Sequence, residues 1–555
     1  MRRIARKNKN GTTTAYIQLA HNYRDPKTGV PKAKVLHSFG REDELDVDSI
    51  RRLIKSMCRF LSPEEALGVM TEMDGDTGPF DVEWSRDLGG PWLLDQLWQK
   101  LGIRNVLEKL LKDRRYQVPV ERAVFSMVAN RALDPSSKLK VEEWVQEDVI
   151  IDDLPEVAVQ QLYRAMDFAL ESEEDLQREV YWSVANLLNL EVDLLYFDTT
   201  STYFEIEDED EGEDGFRKRG HSKDSRRDLP QAIIGLAVTR EGIPVRCWAW
   251  PGNTADMSVV SQVKKDLTNW KLGRVITVLD RGFSSKENLK ELQKAGGHYI
   301  VGDKMRSGKP EVNEAMKRPG RYHEIRENLR AKEIVVGDGE ARHRYVLVHN
   351  PAEAKRQKAK RGKIIENLKA QLAQIKDLPP NQHTKAVCAL VSHRTYGRYL
   401  RSTKAGRPRI DMKKVRDEER YDGKYLLKTS DDTLSTEDVA LGYKQLMDVE
   451  RAFRTLKSQL DLRPVYHRLE DRIRAHVLLC WLALLLVRII ENATGETWTS
   501  VKTVMDRMKL VKFKSKDGSF LQRTDTTPRQ KSILSSLELK EPPIVHGVEP
   551  GRRTL

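Results

Sequence analysis

The chain has 555 residues, which is too long for one compact core, so we expect about three to five structural units. Its 39% hydrophobic and 32% charged residues, with a mean hydropathy of -0.60, argue against a membrane protein. The net charge of +12 favours polyanionic partners, and four cysteines without a CxxC pair indicate neither disulfides nor a zinc site, as expected for a cytoplasmic protein.

The first part of the chain changes its hydrophobic pattern once. Residues 1 to about 45 alternate polar and apolar side chains around turn signals, which predicts a small β-hairpin unit followed by a linker up to residue 85. Over 86–190 the apolar residues recur with the period of a helix, as in VERAVFSMVANRAL. A helical domain of about five helices is therefore expected in that segment.

A run of strand-like segments begins at Val192. VDLLYFD is followed by the hairpin-like pair QAIIGLAVT and IPVRCWAW, a helix from about Asp256, the strand RVITVLD, a helix from Ser284, and the strand HYIVG. Strand, hairpin, helix, strand, helix, strand is the order of a ribonuclease-H-like mixed sheet. The sequence therefore predicts the first part of such a core over 191–302.

The next segment, 303–435, is strongly basic, with 32 Lys and Arg against 18 Asp and Glu. It contains strand-like pieces around a Lys-rich helix from Pro351 to Ile375, which predicts a β-rich basic insertion domain. Helical periodicity resumes at Ser435, and 436–498 is expected to complete the core with helices, including a buried one at 477–487. Residues 499–555 are polar and are expected to form a tail that contacts DNA or a second subunit.

Two carboxylates end strands that should be neighbours. Asp198 follows the first predicted strand of the core and Asp280 follows the fourth, so both should project from one edge of the sheet. Such a pair is costly unless a cation neutralises it. Hard oxygen ligands suit Mg²⁺ or Mn²⁺ better than zinc.

Glu450 is the candidate third carboxylate of a two-metal site. Tyr443, Glu450 and Lys457 are seven residues apart, so they would share one face of a continuous helix. Val449, Phe453 and two further leucines form an adjacent apolar stripe that would dock this helix on the sheet. The alternative is that Glu450 is a solvated helix residue paired with Arg454.

Several sequence motifs in this chain resemble those of the DDE transposases of bacterial insertion sequences, specifically the insertion-sequence-four-like superfamily. The resembling motifs are YFDTTSTYFE (196–205), GHSKDSRRDLPQ (220–231), PGNTAD (251–256), VLDRGF (278–283) and YKQLMDVERAFRTLKSQLDLRPVYH (443–467). In these transposases an insertion domain separates the second Asp from the Glu. The resemblance covers most of residues 1–495.

The resemblance implies that Asp198, Asp280 and Glu450 hold two Mg²⁺ or Mn²⁺ ions per active site, with Lys457 and Tyr443 fixing phosphates beside them. It implies cleavage at transposon ends and transfer of the freed 3′-hydroxyl into target DNA. The partners would be double-stranded DNA, as terminal inverted repeats and target, and a second copy of the chain in a synaptic homodimer. The protein would be cytoplasmic and associated with the nucleoid when bound to DNA.

One position departs from the third signature of that superfamily, Tyr-xx-Arg-xxx-Glu-xxxxxx-Lys. The chain has Leu446 where the signature has Arg. Either Arg454 or Lys444 is expected to supply the missing phosphate contact.

Basic side chains outside the acids are expected to bind the DNA backbone, which positions DNA without reading its sequence. The helical domain is expected to read the DNA ends. The predicted backbone contacts are Arg217, Lys218, Arg219, His221, Lys223, Arg281, Lys355, Arg356, Lys358, Lys360, Arg361, Arg398, Arg401, Arg454, Lys457, Arg463 and His467. The alternative for 217–227 is that these residues balance the acidic run EIEDEDEGED, and for the insertion that its charge keeps exposed helices and loops soluble.

Two other functions are compatible with these residues. The first is a structure-selective nuclease of the same fold that hydrolyses DNA without joining it. The second is a DNA-binding protein descended from a transposase whose site no longer cleaves. The intact set of three acids argues against the second.

Overall fold

The computed structural model describes most of the chain. The described residues are 2–8, 13–25, 29–45, 81–112, 114, 116, 119–188, 190, 193–212, 214–255, 258–270, 272, 275–339, 342–376, 378–403, 407–515 and 518–550. They fall into two compact units, one made of 1–85, 511–522 and 545–555, and the other of 86–510 and 523–544. The linker expected within 46–80 lies outside the described residues.

The smaller unit is built from β-strands. Its N-terminal strands β1 (Arg2–Lys7), β2 (Thr13–Arg24) and β3 (Pro31–Arg41) form an antiparallel sheet in sequence order, which confirms the predicted hairpin pattern and adds a strand to it. Strand β4 (Asp81–Asp87) lies at the edge of a second sheet with three strands from the C-terminal segment.

Six helices lead to the core sheet of the larger unit. They are α1 (Gly89–Lys100), α2 (Ile103–Leu111), α3 (Val120–Leu133), α4 (Lys138–Glu147), α5 (Val159–Glu171) and α6 (Glu173–Leu188). Every residue of α3 is buried, so this helix forms the centre of the group. The prediction of a helical segment before the sheet is confirmed.

A nine-stranded mixed sheet forms the centre of the larger unit, in the order β10-β11-β12-β15-β9-β8-β5-β6-β7. The strands and helices of this region, in chain order, are β5 (Leu194–Tyr203), β6 (Gln231–Val238), β7 (Pro244–Pro251), α7 (Val260–Asn269), β8 (Ile276–Leu279), α8 (Lys286–Gln293), β9 (His298–Asp303), α9 (Pro310–Lys317), β10 (His323–Arg326), β11 (Leu329–Val336), β12 (His343–His349), α10 (Pro351–Lys376), α11 (Pro380–Ser392), β13 (Leu400–Ser402), β14 (Pro408–Ile410), α12 (Met412–Glu419) and β15 (Lys424–Thr429).

Parallel pairing is confined to the centre of this sheet. Strand β8 pairs in parallel with β5 on one side and with β9 on the other. The remaining pairs are antiparallel: β6 pairs with β5 across a long loop and forms a hairpin with β7. The predicted order of strand, hairpin, helix, strand, helix and strand is confirmed.

The basic segment differs from the β-rich insertion domain that the sequence predicted. Strands β10, β11, β12 and β15 extend the same sheet beyond β9, because β15 pairs with β9 from Leu426 to Thr429. Helix α9 and the stretch 351–423, between β12 and β15, lie outside the sheet, and the described part of 351–423 consists mainly of α10, α11 and α12. Its own small core includes Leu368, Leu390 and Tyr399.

The next three helices after β15 include one that is long and apolar. They are α13 (Thr436–Lys444), α14 (Met447–Ser458) and α15 (Glu470–Thr494). By length and composition α15 could cross a membrane, but 94% of its most apolar window is buried inside the protein. It packs against α3, α5 and β7, as the predicted buried helix should.

The C-terminal segment is more structured than the tail that the sequence predicted. It contains α16 (Trp498–Met505), β16 (Lys509–Ser515), β17 (Gly518–Arg523), α17 (Pro528–Ser536) and β18 (Val545–Pro550). The three strands join β4 in the order β18-β17-β16-β4. Apolar residues such as Leu510, Ile533 and Leu534 are buried, although the segment as a whole is polar.

Candidate active site

The sequence suggested that Asp198 follows the end of its strand, but Asp198 lies within strand β5. The strand continues to Tyr203 because Thr199 to Tyr203 remain paired with β6. Pairing with β8, however, stops at Phe197, so Asp198 is the first residue of β5 beyond that parallel ladder. Its side chain is 22% exposed in a strand whose neighbouring residues are nearly all buried.

Asp280 occupies the matching position on β8. Leu279 is the last residue of that strand and is in register with Phe197, so Asp280 and Asp198 come next on two adjacent parallel strands. After Asp280 the chain turns into a single helical turn, in which the amide of Phe283 donates to the carbonyl of Asp280 over 3.1 Å. The predicted adjacency of the two aspartates at one point of the sheet is therefore present.

Tyr443 connects helix α13 to this pair of strands. Its hydroxyl donates to Oδ1 of Asp280 over 3.3 Å. Burial raises the pKa of Tyr443 above its usual value, and the neighbouring Asp280 carboxylate raises it further, so the hydroxyl remains a donor at neutral pH. The ring is stacked on Tyr425, with centroids 6.0 Å apart.

The helix that was predicted to carry Tyr443, Glu450 and Lys457 is broken in two. Helix α13 ends at Lys444 and α14 begins at Met447. The amide of Leu446 bonds to the carbonyl of Tyr443, an i to i+3 pattern that tightens the chain at the junction. Tyr196 on β5 donates to Oε1 of Gln445 over 2.7 Å and so anchors the junction to the sheet. The seven-residue spacing therefore does not place Tyr443 and Glu450 on one helix face.

All three acids nevertheless line one cavity of about 980 Å³. Other acidic and basic lining residues are Arg281, Asp303, Lys304, Arg306, Glu327, Lys424 and Lys444. Glu450 is exposed on the first turns of α14. Among the described residues no three His, Cys, Asp or Glu side chains are grouped closely enough to hold a metal ion in this conformation. The acids thus share a cavity but not a closed coordination sphere.

Lys444 and Arg454 were the two residues expected to replace the Arg that is missing at position 446. Lys444 lines the cavity, as does Leu446 itself. Arg454 is exposed on α14 and is not among the lining residues. Lys444 is therefore better placed than Arg454 to contact a phosphate in the cavity.

Lys457 and Arg463 share one carboxylate, that of Asp224. Nζ of Lys457 bonds to both oxygens of Asp224, over 2.8 and 3.0 Å, and a guanidinium nitrogen of Arg463 lies 3.1 Å from Asp224 Oδ2. Asp224 belongs to the motif GHSKDSRR, in which the sequence predicted DNA contacts for basic residues but no role for Asp224. Lys457 and Arg463 also line a second cavity, of about 530 Å³, with His467 and Arg217.

His467 is expected to be neutral at physiological pH. Burial lowers its pKa to about 4, and the positive charges of Lys138, Arg472 and Arg131 add to that effect. It can therefore offer a hydrogen bond to DNA but not a charge.

The basic residues 217–219 are bonded to the acidic part of their own loop. Arg217 pairs with Asp210 at 2.5 Å, and Nζ of Lys218 donates to the carbonyl of Asp210 over 2.6 Å. Arg219 donates to the carbonyl of Glu207 over 2.5 Å and lies 3.4 Å from Glu209. These contacts support the alternative in which these residues balance the acidic run, whereas His221 is exposed.

The predicted contacts of the basic segment divide into exposed and buried side chains. Lys355, Arg356, Lys358 and Lys360 are exposed along α10, and Arg398 and Arg401 are exposed near β13. Arg356 pairs with Glu353 at 2.6 Å and Arg398 lies 3.6 Å from Glu418. Arg361, in contrast, is 6% exposed, so the expectation that it contacts DNA does not fit this structure.

Arg361 is expected to stabilise the fold of 351–423. Its two guanidinium nitrogens each bond to an oxygen of Asp422 over 2.7 Å, and Glu419 lies 3.3 Å away. We expect Arg361→Gln to lower the free energy of unfolding by about 2 kcal/mol, because it leaves a partly buried carboxylate without its cation. Chemical denaturation measures this loss, with the exposed Lys360→Gln as the matched control. A stability equal to that of the control, together with weaker DNA binding, would restore the DNA-contact assignment.

Two known families match parts of this chain. Residues 201–486 match the family described as transposase DDE domain, and residues 1–66 match the N-terminal domain of IS1634 family transposases. The first match begins three residues after Asp198 and includes Asp280 and Glu450. No similar sequence was found among curated proteins.

One solved structure also aligns with this chain. It is the cryo-EM structure of a piggyBac transposase synaptic complex with hairpin DNA, with a TM-score of 0.34 and 12% identity over 76% of this chain and 80% of that one. A likeness at this level supports no conclusion about this chain. The family match over just over half of the chain is sufficient by itself, and it shows that the chain belongs to the DDE transposase family.

Proposed function

We propose that this DNA transposase cleaves the ends of an insertion sequence and joins the freed 3′-hydroxyl to target DNA, with Asp198, Asp280 and Glu450 as its catalytic acids. The observation that carries the proposal is that these three carboxylates line one cavity, two of them at matched positions on adjacent parallel strands. The strand order β7-β6-β5-β8-β9 supports a ribonuclease-H-like core around them.

The donor chemistry of the cavity fits divalent metal ions, which DDE transposase domains generally use. All three proposed ligands are carboxylates, and oxygen ligands suit Mg²⁺ or Mn²⁺. The Lys223 ammonium, 3.5 Å from Asp198 Oδ1, is a cation at the edge of the same group. Two bound ions would supply charge stabilisation to the attacking and leaving oxygens of an in-line phosphoryl displacement.

The remaining residues act on the DNA or on the acids. Tyr443 fixes the orientation of the Asp280 carboxylate through its hydroxyl. Lys444 and Arg281, which line the cavity, contact the phosphates on either side of the bond to be broken. We propose that Glu450 moves on α14 towards the two aspartates when DNA and metal bind, which would close the group that is open in this conformation.

Basic side chains outside the cavity bind the DNA backbone. The exposed lysines and arginines give α10 a positive surface, so affinity should fall steeply with salt as phosphates release their counterions. The helices α1 to α6 are proposed to contact the terminal repeats. Cleavage at two ends requires two active sites, and we propose a homodimer in the synaptic complex.

A strand-transfer assay with pre-cut ends tests the reaction. With Mg²⁺ the protein should join a 3′-hydroxyl end to supercoiled plasmid, because a transposase consumes that hydroxyl and a nuclease does not. Plasmid that is nicked without joining would indicate a nuclease of the same fold. Specific binding of end DNA with neither cleavage nor joining would indicate a transposase-derived DNA-binding protein.

A further inference from the structure

Lys223 places a positive charge beside the first acid. Its ammonium nitrogen lies 3.5 Å from Asp198 Oδ1 and donates to the carbonyl and hydroxyl oxygens of Thr199 over 2.6 and 2.8 Å. The two side chains of this ion pair are 30% and 22% exposed, so both remain in reach of solvent. The Lys223 ammonium thus lies beside the Asp198 carboxylate, at the position proposed for a metal ion.

Asp224, the next residue, places a negative charge beside two predicted phosphate contacts. Its carboxylate binds Lys457 and Arg463 together, and these three side chains are 18%, 16% and 24% exposed. Arg463 also lies over the ring of Tyr203, 4.6 Å from the centroid, which limits where its guanidinium can go. The Asp224 carboxylate therefore gives both cations a negatively charged partner, as a DNA phosphate would.

The backbone holds the two residues so that they point to different partners. The amide of Lys223 donates to Ser201 Oγ on β5 over 2.9 Å. Ser222, which is buried, accepts from the amides of Asp224 and Arg226 over 3.3 and 3.1 Å and closes a tight turn. The turn fixes one end of the loop on β5 and directs the two charged side chains to different partners.

We propose that Lys223 and Asp224 are positioning residues that stand in for the ligands of the active site. Lys223 substitutes for a divalent cation at Asp198, and Asp224 substitutes for a DNA phosphate at Lys457 and Arg463. Binding of metal and DNA exchanges both pairs: Asp198 passes to the metal, and Lys457 and Arg463 pass to the DNA. This inference rests on the function proposed above.

The exchange has a physical basis in the cost of unpaired charges. Asp198 and Asp280 come next to each other on adjacent strands, and two like charges at such positions repel each other unless a cation is near. Lys457 and Arg463 are likewise two close cations that need an anion. Internal partners offset these repulsions and hold both groups in place before the ligands arrive, at the expense of some ligand affinity.

Mn²⁺ binding to the DNA-free protein tests the first half. We expect Lys223→Gln to bind Mn²⁺ about two- to tenfold more tightly than the wild type, because the competing ammonium is gone, as measured by the loss of free Mn²⁺ signal in electron paramagnetic resonance. Arg227→Gln is the matched control, since it removes one positive charge from the same exposed loop. Lys223→Met is a second variant that also removes the ammonium. The variant whose melting temperature is nearer to that of the wild type is the one titrated with Mn²⁺.

DNA binding without metal tests the second half. Asp224→Asn should bind a double-stranded end fragment two- to tenfold more tightly than the wild type, as measured by fluorescence anisotropy, because Lys457 and Arg463 are released. Asp228→Asn is the control, since the Asp228 carboxylate pairs with neighbouring Arg226 of the same loop at 2.8 Å. Asp224→Glu keeps the charge and should restore the wild-type affinity, and Asp224→Ser replaces Asp224→Asn if that variant is unstable.

The outcomes separate this inference from the function on which it rests. Tightening no greater than in the Arg227 and Asp228 controls overturns the exchange, and so does weaker binding of either ligand. Asp198→Asn provides the separation. If its Mn²⁺ affinity equals that of the wild type, the proposed metal site is wrong. If Asp198→Asn loses Mn²⁺ but Lys223→Gln gains nothing, only the exchange is wrong.

Discussion

Asp198→Asn, Asp280→Asn and Glu450→Gln should each lower the rate of end cleavage by at least about a thousandfold, which corresponds to about 4 kcal/mol of transition-state stabilisation. The amides keep the size of the side chain but remove the negative charge that holds a divalent cation. DNA binding should remain within a few fold of the wild type, because the exposed basic residues of α10 lie outside the cavity. Cleavage in Mg²⁺ and anisotropy in its absence measure the two effects.

Glu327 provides a matched control for these variants. It lines the same cavity but lies in the turn between β10 and β11, near the far edge of the sheet from β5. Glu327→Gln should retain cleavage within about threefold of the wild type, as surface substitutions usually have small effects. Normal cleavage or strand transfer by any variant of the three acids would remove that residue from the proposed site.

The two aspartates could be located from sequence because the signal was local. LLYF and VITVL are continuous apolar runs, which are typical of central strands buried on both faces, and each is followed at once by Asp. Apolar patterning therefore gave the positions of Asp198 and Asp280, and the order of elements indicated that β5 and β8 are neighbours. The pairing of Phe197 with Leu279 confirms this step.

The position of Glu450 relative to Tyr443 could not be obtained in the same way. Sequence periodicity assumes one uninterrupted helix, and no Gly or Pro marks a break between Lys444 and Met447. The junction is held on the sheet by the tertiary bond between Tyr196 and Gln445, whose partners are 249 residues apart. A local pattern contains no information about such a contact.

The extent of the core sheet was missed for a related reason. Segments such as RYVLVHN and KYLLKT were recognised as strands, but apolar patterning does not tell which sheet a strand joins. The pairing of β15 with β9 and β12 assigns them to the core. Local charge predicted the DNA contacts less well than apolar patterning predicted the strands. Arg361 in the basic helix is a buried partner of Asp422, and Asp224 in a basic motif binds two cations.

The contact between Tyr443 and Asp280 leads to the second large effect. Tyr443→Phe removes the hydroxyl that donates to Asp280 over 3.3 Å. We expect cleavage to fall by about ten- to a hundredfold, because a hydrogen bond to a charged group contributes about 1.5–3 kcal/mol. Gly302→Ala should have a similar effect, since a Cβ at that position would lie 2.4 Å from the Tyr443 oxygen.

A double variant separates this mechanism from a general loss of stability. Stacking on Tyr425 restricts the Tyr443 ring, so it can make room for a methyl group at residue 302 only by moving its hydroxyl away from Asp280. When the hydroxyl is already absent, the new methyl group displaces little. Gly302→Ala should therefore add less than about threefold to the loss caused by Tyr443→Phe, in a cycle that measures the coupling of the two positions. If the two losses multiply, or if both single variants cleave normally, Tyr443 does not act through the orientation of Asp280.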